Sequence, residues 1–422
     1  MKVINIMNHG PAYEILNEQK RPLWKWEQED GSEICIVNRE WPGLMGHWIL
    51  QKKTIEWEVW QPDFKASRIY THQFPDGVVH RLIPAIKKMY RFGGLRPIVE
   101  CYSDVMLNLL NQISEKTIVI LYRFEFPFWY SILDKIQNNN QIRCIIIDLG
   151  TITTPLQRFF HSRHPLSFPA CIIEQIRMRI KYARFHGIYG CNTASISSIK
   201  KVYKGSVGIL NVGCDFHFFT PVPSVKEKHS IRAELSISKS HTVFLTVALL
   251  RPVKQIHKLI RAFSYLRQRE DWMLFIVGAG EPNYEQYLKQ LVHSYGLDHQ
   301  IRFFGYLEGE NLRRLYWASD VYICSSSSEG APAAVMEAIA CGLPVLSTPV
   351  GGVYEVMRAH QAGRILDLKD KKEWISVFRD VLDLGLPKPL DRKIAENYFD
   401  WRAVADRVLV ILQKIWQGND EK

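Results

Sequence analysis

Residues 325–345 read Ser-Ser-Ser-Ser-Glu-Gly-Ala-Pro-Ala-Ala-Val-Met-Glu-Ala-Ile-Ala-Cys-Gly-Leu-Pro-Val, and this stretch decides the fold. An apolar run at 321–325 leads into it and predicts a strand. Pro332 suits a first helical position, where its missing N–H costs nothing, and Gly342 with Pro344 ends the helix predicted over 332–341. A fully apolar strand feeding a short helix of small residues is the repeating unit of a parallel sheet covered on both faces. The free N–H groups and positive dipole end of such a helix form an anion site at the carboxyl end of the strand.

The same alternation extends outward on both sides. Apolar runs predict strands at 243–250, 272–277, 301–304, 344–348 and 363–367, with helices at 256–267, 284–295 and 309–318. Ile256, Leu259, Ile260, Phe263 and Leu266 fall on one helical face. The first half is mixed α/β with a less even rhythm. Strands are expected at 2–7, 33–37, 117–122 and 142–147, and helices near 79–91, 103–113, 127–137, 170–184 and 193–203. Residues 220–230, with two prolines and little apolar content, read as a linker. The expected division is therefore an N-terminal domain over 1–214, a linker over 215–230, a second domain over 231–397 and a C-terminal helix in 398–422 that crosses back or stays. The fold class is α/β, with two facing Rossmann-like doubly wound domains and a cleft at the carboxyl ends of their strands.

Composition agrees with this class. The chain has 422 residues, 47% apolar and 23% charged, too long for one core and too apolar for disorder. Its eight cysteines stand singly, with no CxxC pair, and read as buried free thiols. The apolar start, Met-Lys-Val-Ile-Asn-Ile-Met, is too short for a signal peptide, and no run of 18 apolar residues occurs. The expectation is a cytoplasmic protein, free or attached to a membrane face.

Glu329 precedes the 332–341 helix and Glu337 lies eight positions further on, within it. Carboxylates beside an anion site suit a ligand that joins phosphate to hydroxyl-bearing rings, as a nucleotide-sugar does. The bland alternative is a capping Glu329 and a solvated Glu337. This segment resembles the signature of the retaining glycosyltransferases of family 4, which have two Rossmann-like domains in the GT-B architecture and a Glu-x7-Glu motif matched by Glu329 and Glu337. The resemblance implies that Glu329 contacts the donor sugar and Glu337 the ribose hydroxyls. It also implies that the backbone of Gly330, Ala331, Pro332 and Ala333 contacts sugar and diphosphate. It covers about 207–415, taking in Asn-Val-Gly-Cys-Asp-Phe-His-Phe-Phe-Thr-Pro at 211–221, Val-Gly-Ala-Gly-Glu at 277–281, Phe-Phe-Gly at 303–305 and Gly-Gly at 351–352. Family members bind the diphosphate with an Arg and a Lys after the strand at 243–250. Lys254 matches that Lys, whereas the usual Arg position holds Leu249 and Arg251 is a shifted substitute. The Gly usual after the Lys is replaced by Gln255. Gly278-Ala279-Gly280 lacks the third glycine of a nicotinamide-binding loop, and no GxxxxGK[ST] is present.

On the acceptor side the resemblance is only one of layout. Asn-His-Gly-Pro-Ala at 8–12 stands where the family has a glycine-rich loop, which makes His9 and Gly10 candidates. Asp148 stands where the family often has a His, and reads equally as a turn cap; Arg123 and Glu125 are cleft candidates or a local ion pair. Six tryptophans between Trp24 and Trp60 read as an aromatic subcore, with sugar stacking or a membrane interface as alternatives. The net charge is +11, and residues 151–204 hold nine basic side chains against one acidic. In the helix expected over 170–184 they alternate with Ile172, Ile173, Ile176, Met178 and Ile180, so the basic stretch 158–204 suits an anionic membrane surface or a solvated face better than nucleic acid.

The expected function is transfer of a sugar from a nucleoside-diphosphate-sugar to a hydroxyl of a glycan or lipid-linked acceptor in surface polysaccharide synthesis, with retention of configuration. The expected catalytic set is Glu329, Lys254, Arg251 and Asp148, with no cofactor and no metal ligand set. A nucleotide-sugar epimerase of the same architecture and a non-catalytic nucleotide-sugar or glycan binder remain alternatives.

Overall fold

The apolar, β-branched runs at 117–122, 142–147 and 272–277 each form a buried parallel strand. The computed structural model describes residues 1–7, 24–36, 40–90, 98–122, 127–148, 150, 168–367 and 371–417. His9, Gly10, Arg123 and Glu125 lie outside the described residues. The chain divides into two units, one of Met1–Leu210 with Ala405–Lys422 and one of Asn211–Val404.

Strands of the first unit, in chain order, are β1 (Lys2–Ile6), β2 (Trp24–Glu27), β3 (Glu33–Ile36), β4 (Glu56–Asp63), β5 (Tyr70–Gln73), β6 (Val79–Pro84), β7 (Ile86–Tyr90), β8 (Ile98–Tyr102), β9 (Thr117–Tyr122), β10 (Ile142–Asp148), β11 (Gly187–Gly190) and β12 (Ser206–Ile209). Eight of them form one sheet in the order β12-β11-β10-β9-β1-β4-β6-β5, parallel except for β5 against β6. In its middle Ile4 lies opposite both Val119 and Glu58. Helices are started by side-chain caps: Ser103 accepts from the Met106 N–H at 3.1 Å and Asn192 from the Ser195 N–H at 2.8 Å.

The helix expected over 79–91 is instead the strand pair β6 and β7. Pro84 breaks the run, since a mid-helix proline removes a hydrogen bond and clashes with the preceding turn. β6 finds partners on both sides, in β4 and β5, and β7 forms an antiparallel pair with β8. β3, expected at 33–37, belongs to a small antiparallel hairpin with β2. No apolar run marks β4, where charged residues alternate with tryptophans. Glu58 is nevertheless buried there, held 2.8 Å from Lys2 and 2.8 Å from Arg81. Burial alone would raise its carboxyl pKa, but hydrogen bonds from Arg81, Lys2 and Trp60 outweigh burial and lower it.

The tryptophans divide by location. Trp41, Trp57 and Trp60 are core residues, while Trp24 is 43% exposed and stacks on His72 at 3.8 Å between ring centroids.

The second unit contains β13 (Thr242–Val247), β14 (Trp272–Val277), β15 (Ile301–Phe303), β16 (Val321–Cys324), β17 (Val345–Ser347) and β18 (Arg364–Ile365). They form one parallel sheet in the order β15-β14-β13-β16-β17-β18. Core residues cover both faces, with Phe275 and Tyr316 in one cluster and Phe244, Phe263 and Phe378 in the other.

The stretch 215–230, expected as a linker, belongs to the second unit. Phe216 is buried, the Arg392 guanidinium donates to the carbonyls of Phe216 and Phe219, and Ser224 caps a helix at Val225–Glu234 that belongs to the second unit. The prolines at 221 and 223 shape a packed connection there. The last helix, Trp401–Gln417, starts in the second unit and from Ala405 belongs to the first. Its Trp416 ring lies under Lys116 and Arg143. All eight cysteines are free. Among the described residues no helix is long and apolar enough to cross a membrane.

Candidate functional site

Val247, Val277 and Cys324 end β13, β14 and β16, and all three line one cavity of about 520 Å³ within the second unit. The loops that follow these strands supply further parts of its wall, as expected for the carboxyl edge of an open α/β sheet. Lys254, Glu329, Ala331, Pro332, Ala333 and Glu337 all lie in that wall.

The stretch at 325–345 folds nearly as read. Its helix spans Ala333–Ala340, with Pro332 at the N-cap one residue earlier than expected. The amides of Ala333 and Ala334 open the helix and have no intrahelical acceptor. Gly351, at φ 70°, holds the preceding loop in place: a Cβ there would meet Pro332 Cδ at 2.7 Å and the Gly330 carbonyl oxygen at 3.0 Å. The Gly352 N–H donates to that same Gly330 carbonyl at 3.2 Å.

Each glutamate is held by its own partners. Glu329 Oε1 lies 2.5 Å from Lys254 Nζ and accepts from Ser326 Oγ at 2.6 Å. Glu337 Oε2 accepts from the Tyr316 hydroxyl at 2.8 Å, and that hydroxyl is also 3.1 Å from the Ala334 carbonyl oxygen. Burial pushes the Glu337 carboxyl above the ordinary range, with the Tyr316 hydrogen bond opposing it. Sequence reasoning missed Tyr316 and Ser326. Tyr316 sits on the neighbouring Gly309–Ala318 helix, and its apolar surroundings mark it only as core.

The cation loop departs from expectation. Pro252–Lys254 forms one 3₁₀ turn, and Gln255 after it takes φ 53°, ψ 30°. That left-handed conformation is one glycine adopts freely, which accounts for the glycine expected there. Arg251 is not in the cavity wall; its side chain is 57% exposed and faces Glu281 at 3.7 Å. Leu249 occupies the wall instead. Among the described residues Lys254 is thus the cation of the wall; it pairs with Glu329, and Glu308 and Glu337 also line the wall. Gly278-Ala279-Gly280 serves close approach: a Cβ on Gly278 would fall 1.9 Å from the Ala248 carbonyl oxygen, and one on Gly280 2.1 Å from that of Leu250.

In the first unit Asp148 ends β10. It is buried and accepts weakly from the Gly150 N–H at 3.4 Å, as a turn-capping carboxylate does. Among the described residues, His217, Glu396 and Asp400 bring possible metal-ligating atoms within 4.8 Å of one another, and none of the three is in the cavity wall.

Residues 227–401 match the sequence model of the glycosyl transferases, group 1. A D-inositol 3-phosphate glycosyltransferase of Salinispora arenicola is 30% identical over 219 residues, 49% of this chain and 49% of that protein. The match spans between about a third and about half the length of the curated relatives. Among solved structures, sucrose-phosphate synthase from Thermosynechococcus elongatus superposes with a TM-score of 0.70 at 16% identity, over 99% of this chain and 100% of that one. The Anabaena protein HepE, crystallised with UDP and glucose, gives 0.64 at 13% identity over 98% and 100%. The two parallel-sheet α/β units are the GT-B fold, and the second unit carries the part similar to the group 1 glycosyl transferases.

Proposed function

We propose that this protein is a glycosyltransferase that binds a nucleoside-diphosphate-sugar in its second unit and transfers the sugar to a hydroxyl with retention of configuration. The reading is carried by one observation: two separately anchored glutamates share a cavity with Lys254 and a helix N-terminus. A nucleotide-sugar presents what that set recognises, namely ribose hydroxyls, a diphosphate and sugar hydroxyls. Glu337 accepts hydrogen bonds from the ribose. Glu329, fixed by Lys254 and Ser326, accepts from the sugar hydroxyls and favours the positive charge that develops at the anomeric carbon as the bond to phosphate lengthens. Lys254 and the N–H groups at Ala331, Ala333 and Ala334 draw in the departing diphosphate, whose negative charge grows over the same interval.

Leu249 in place of the usual cation, with Arg251 turned toward Glu281, leaves Lys254 to supply the side-chain charge. The proposed reaction draws its charge stabilisation from Lys254 and the helix N-terminus and calls on no cofactor. The acceptor is a hydroxyl of a glycan or lipid-linked sugar of a surface polysaccharide, bound through the first unit, where Asp148 stands at the carboxyl end of β10.

Incubation of the protein with its nucleotide-sugar should release nucleoside diphosphate and, with water standing in as slow acceptor, a sugar whose first-formed anomer by NMR matches the donor. Glu329→Ala should lower the rate by about 100-fold. An inverted anomer would overturn retention, conversion to an epimeric nucleotide-sugar would show an epimerase, and a wild-type rate in the variant would remove Glu329 from the chemistry.

A further inference from the structure

Asp148 marks the carboxyl end of the first unit's sheet; the amino ends of β11 and β12, at the opposite edge, bound a second cavity of about 830 Å³. Among the described residues its wall holds five cations, Arg179, Arg184, Lys201, Lys204 and Lys414, and no carboxylate. Arg184 pairs with Asp134 at 2.8 Å, and Arg179 donates to the Lys201 carbonyl at 3.2 Å. His186, also in the wall, accepts the Cys144 N–H at Nδ1, so its proton sits on Nε2 as a donor; burial first, and then Arg143, lower its pKa and keep the ring neutral. Like charges gathered around one cavity raise the local potential and concentrate anions there.

The helix Phe168–Tyr182 contributes Arg179 to that wall and has a second feature on its outer side. Ile172, Ile173, Ile176 and Ile180 are 38%, 51%, 50% and 65% exposed, while Met178 and Tyr182 are buried on the far side. At about 100° per residue the four isoleucines fall within one arc of roughly 100°, bordered by Arg179 on one side and Arg177 on the other. The row Ile172, Ile176, Ile180 continues at the next four-residue step to Arg184, which is in the cavity wall. A soluble phosphate compound would account for the cavity and leave the apolar stripe in water. A partner with acyl chains beneath phosphate headgroups accounts for both.

We propose that this face docks the protein on an anionic phospholipid surface, with the isoleucines at the acyl boundary and a headgroup phosphate in the cavity between Arg179, Lys201, Lys204 and Lys414. This goes beyond the transfer reaction and does not depend on it, since none of these residues belongs to the nucleotide cavity.

The test uses the full chain and co-sedimentation with vesicles of phosphatidylglycerol in phosphatidylcholine, against phosphatidylcholine alone. Binding should need the anionic lipid and weaken with salt. Ile176→Ser with Ile180→Ser should weaken it about tenfold or more, and so should Lys201→Ala, Lys204→Ala and Lys414→Ala together. All these side chains lie outside the core, and an unchanged melting temperature of each variant confirms that it folds. Equal binding to neutral vesicles, no binding to either, or wild-type binding by the isoleucine variant would overturn the proposal. Saturable binding of inositol hexaphosphate without vesicle binding would also overturn it, and would assign the cavity to a soluble polyanion.

Discussion

Glu337 carries its charge at a cost that the protein does not fully offset. Its carboxyl is raised by burial and only partly relieved by the Tyr316 hydroxyl. An acid with a raised pKa takes up its proton at higher pH, so the ionised form needed for the proposed ribose contact is lost earlier on acidification than for an exposed glutamate. Affinity for a nucleoside diphosphate should therefore be greatest above the raised pKa and fall as pH drops through it. In Glu337→Gln that component should vanish, leaving weaker binding that varies only with the ligand's own titration. Calorimetric titrations of both proteins from pH 8 to pH 5 check this, and parallel profiles would contradict it. At this scale the sequence was legible where spacing is enough. Glu329, Glu337 and Lys254 share a wall because strand-end loops of a parallel sheet converge. It was not legible where a loop's internal turn sets direction, as at Arg251 beside the 3₁₀ turn, or where a partner comes from another helix, as Tyr316 does.

Elements were readable in proportion to how apolar they are. The second unit's strands lie within a few residues of the apolar runs, because both faces of that sheet are covered and its central strands are buried along nearly all of their length. β4 escaped notice because its buried Glu58 is paired with Lys2 and Arg81, and a paired carboxylate inside looks from sequence like a surface residue. The helix expected over 79–91 failed at Pro84, a breaker inside an otherwise periodic run. The loop before the Ala333–Ala340 helix depends on Gly351. Gly351→Ala forces both a positive φ on alanine and a Cβ against Pro332 and Gly330, for an expected loss of about 2–3 kcal/mol in denaturant unfolding and a weakened nucleotide affinity. Gly309→Ala is the control, since φ is 57° there with no atom within 4 Å of the added Cβ, and about 1 kcal/mol is expected. Equal losses in the two variants would show that the Pro332 contact does not matter.

For the whole molecule, the +11 net charge belongs mainly to a place other than the nucleotide cavity. That cavity has Lys254 among three carboxylates, whereas the amino edge of the first unit's sheet has five cations around one space. Composition announced an anionic partner without saying which unit would meet it, and the two proposed sites fall in different units. Because the proposed nucleotide set lies wholly in the second unit, a ligand bound there should stabilise the native chain by mass action, by about 2.7 kcal/mol at a hundred times its dissociation constant. The most direct measurement is a thermal-shift panel of nucleoside diphosphates and nucleotide-sugars on wild type and on Glu337→Ala. At least one diphosphate and its sugar conjugate should raise the wild-type melting temperature by several degrees, with the shift largely lost in the variant. No shift from any nucleotide, or an equal shift in Glu337→Ala, would contradict the account.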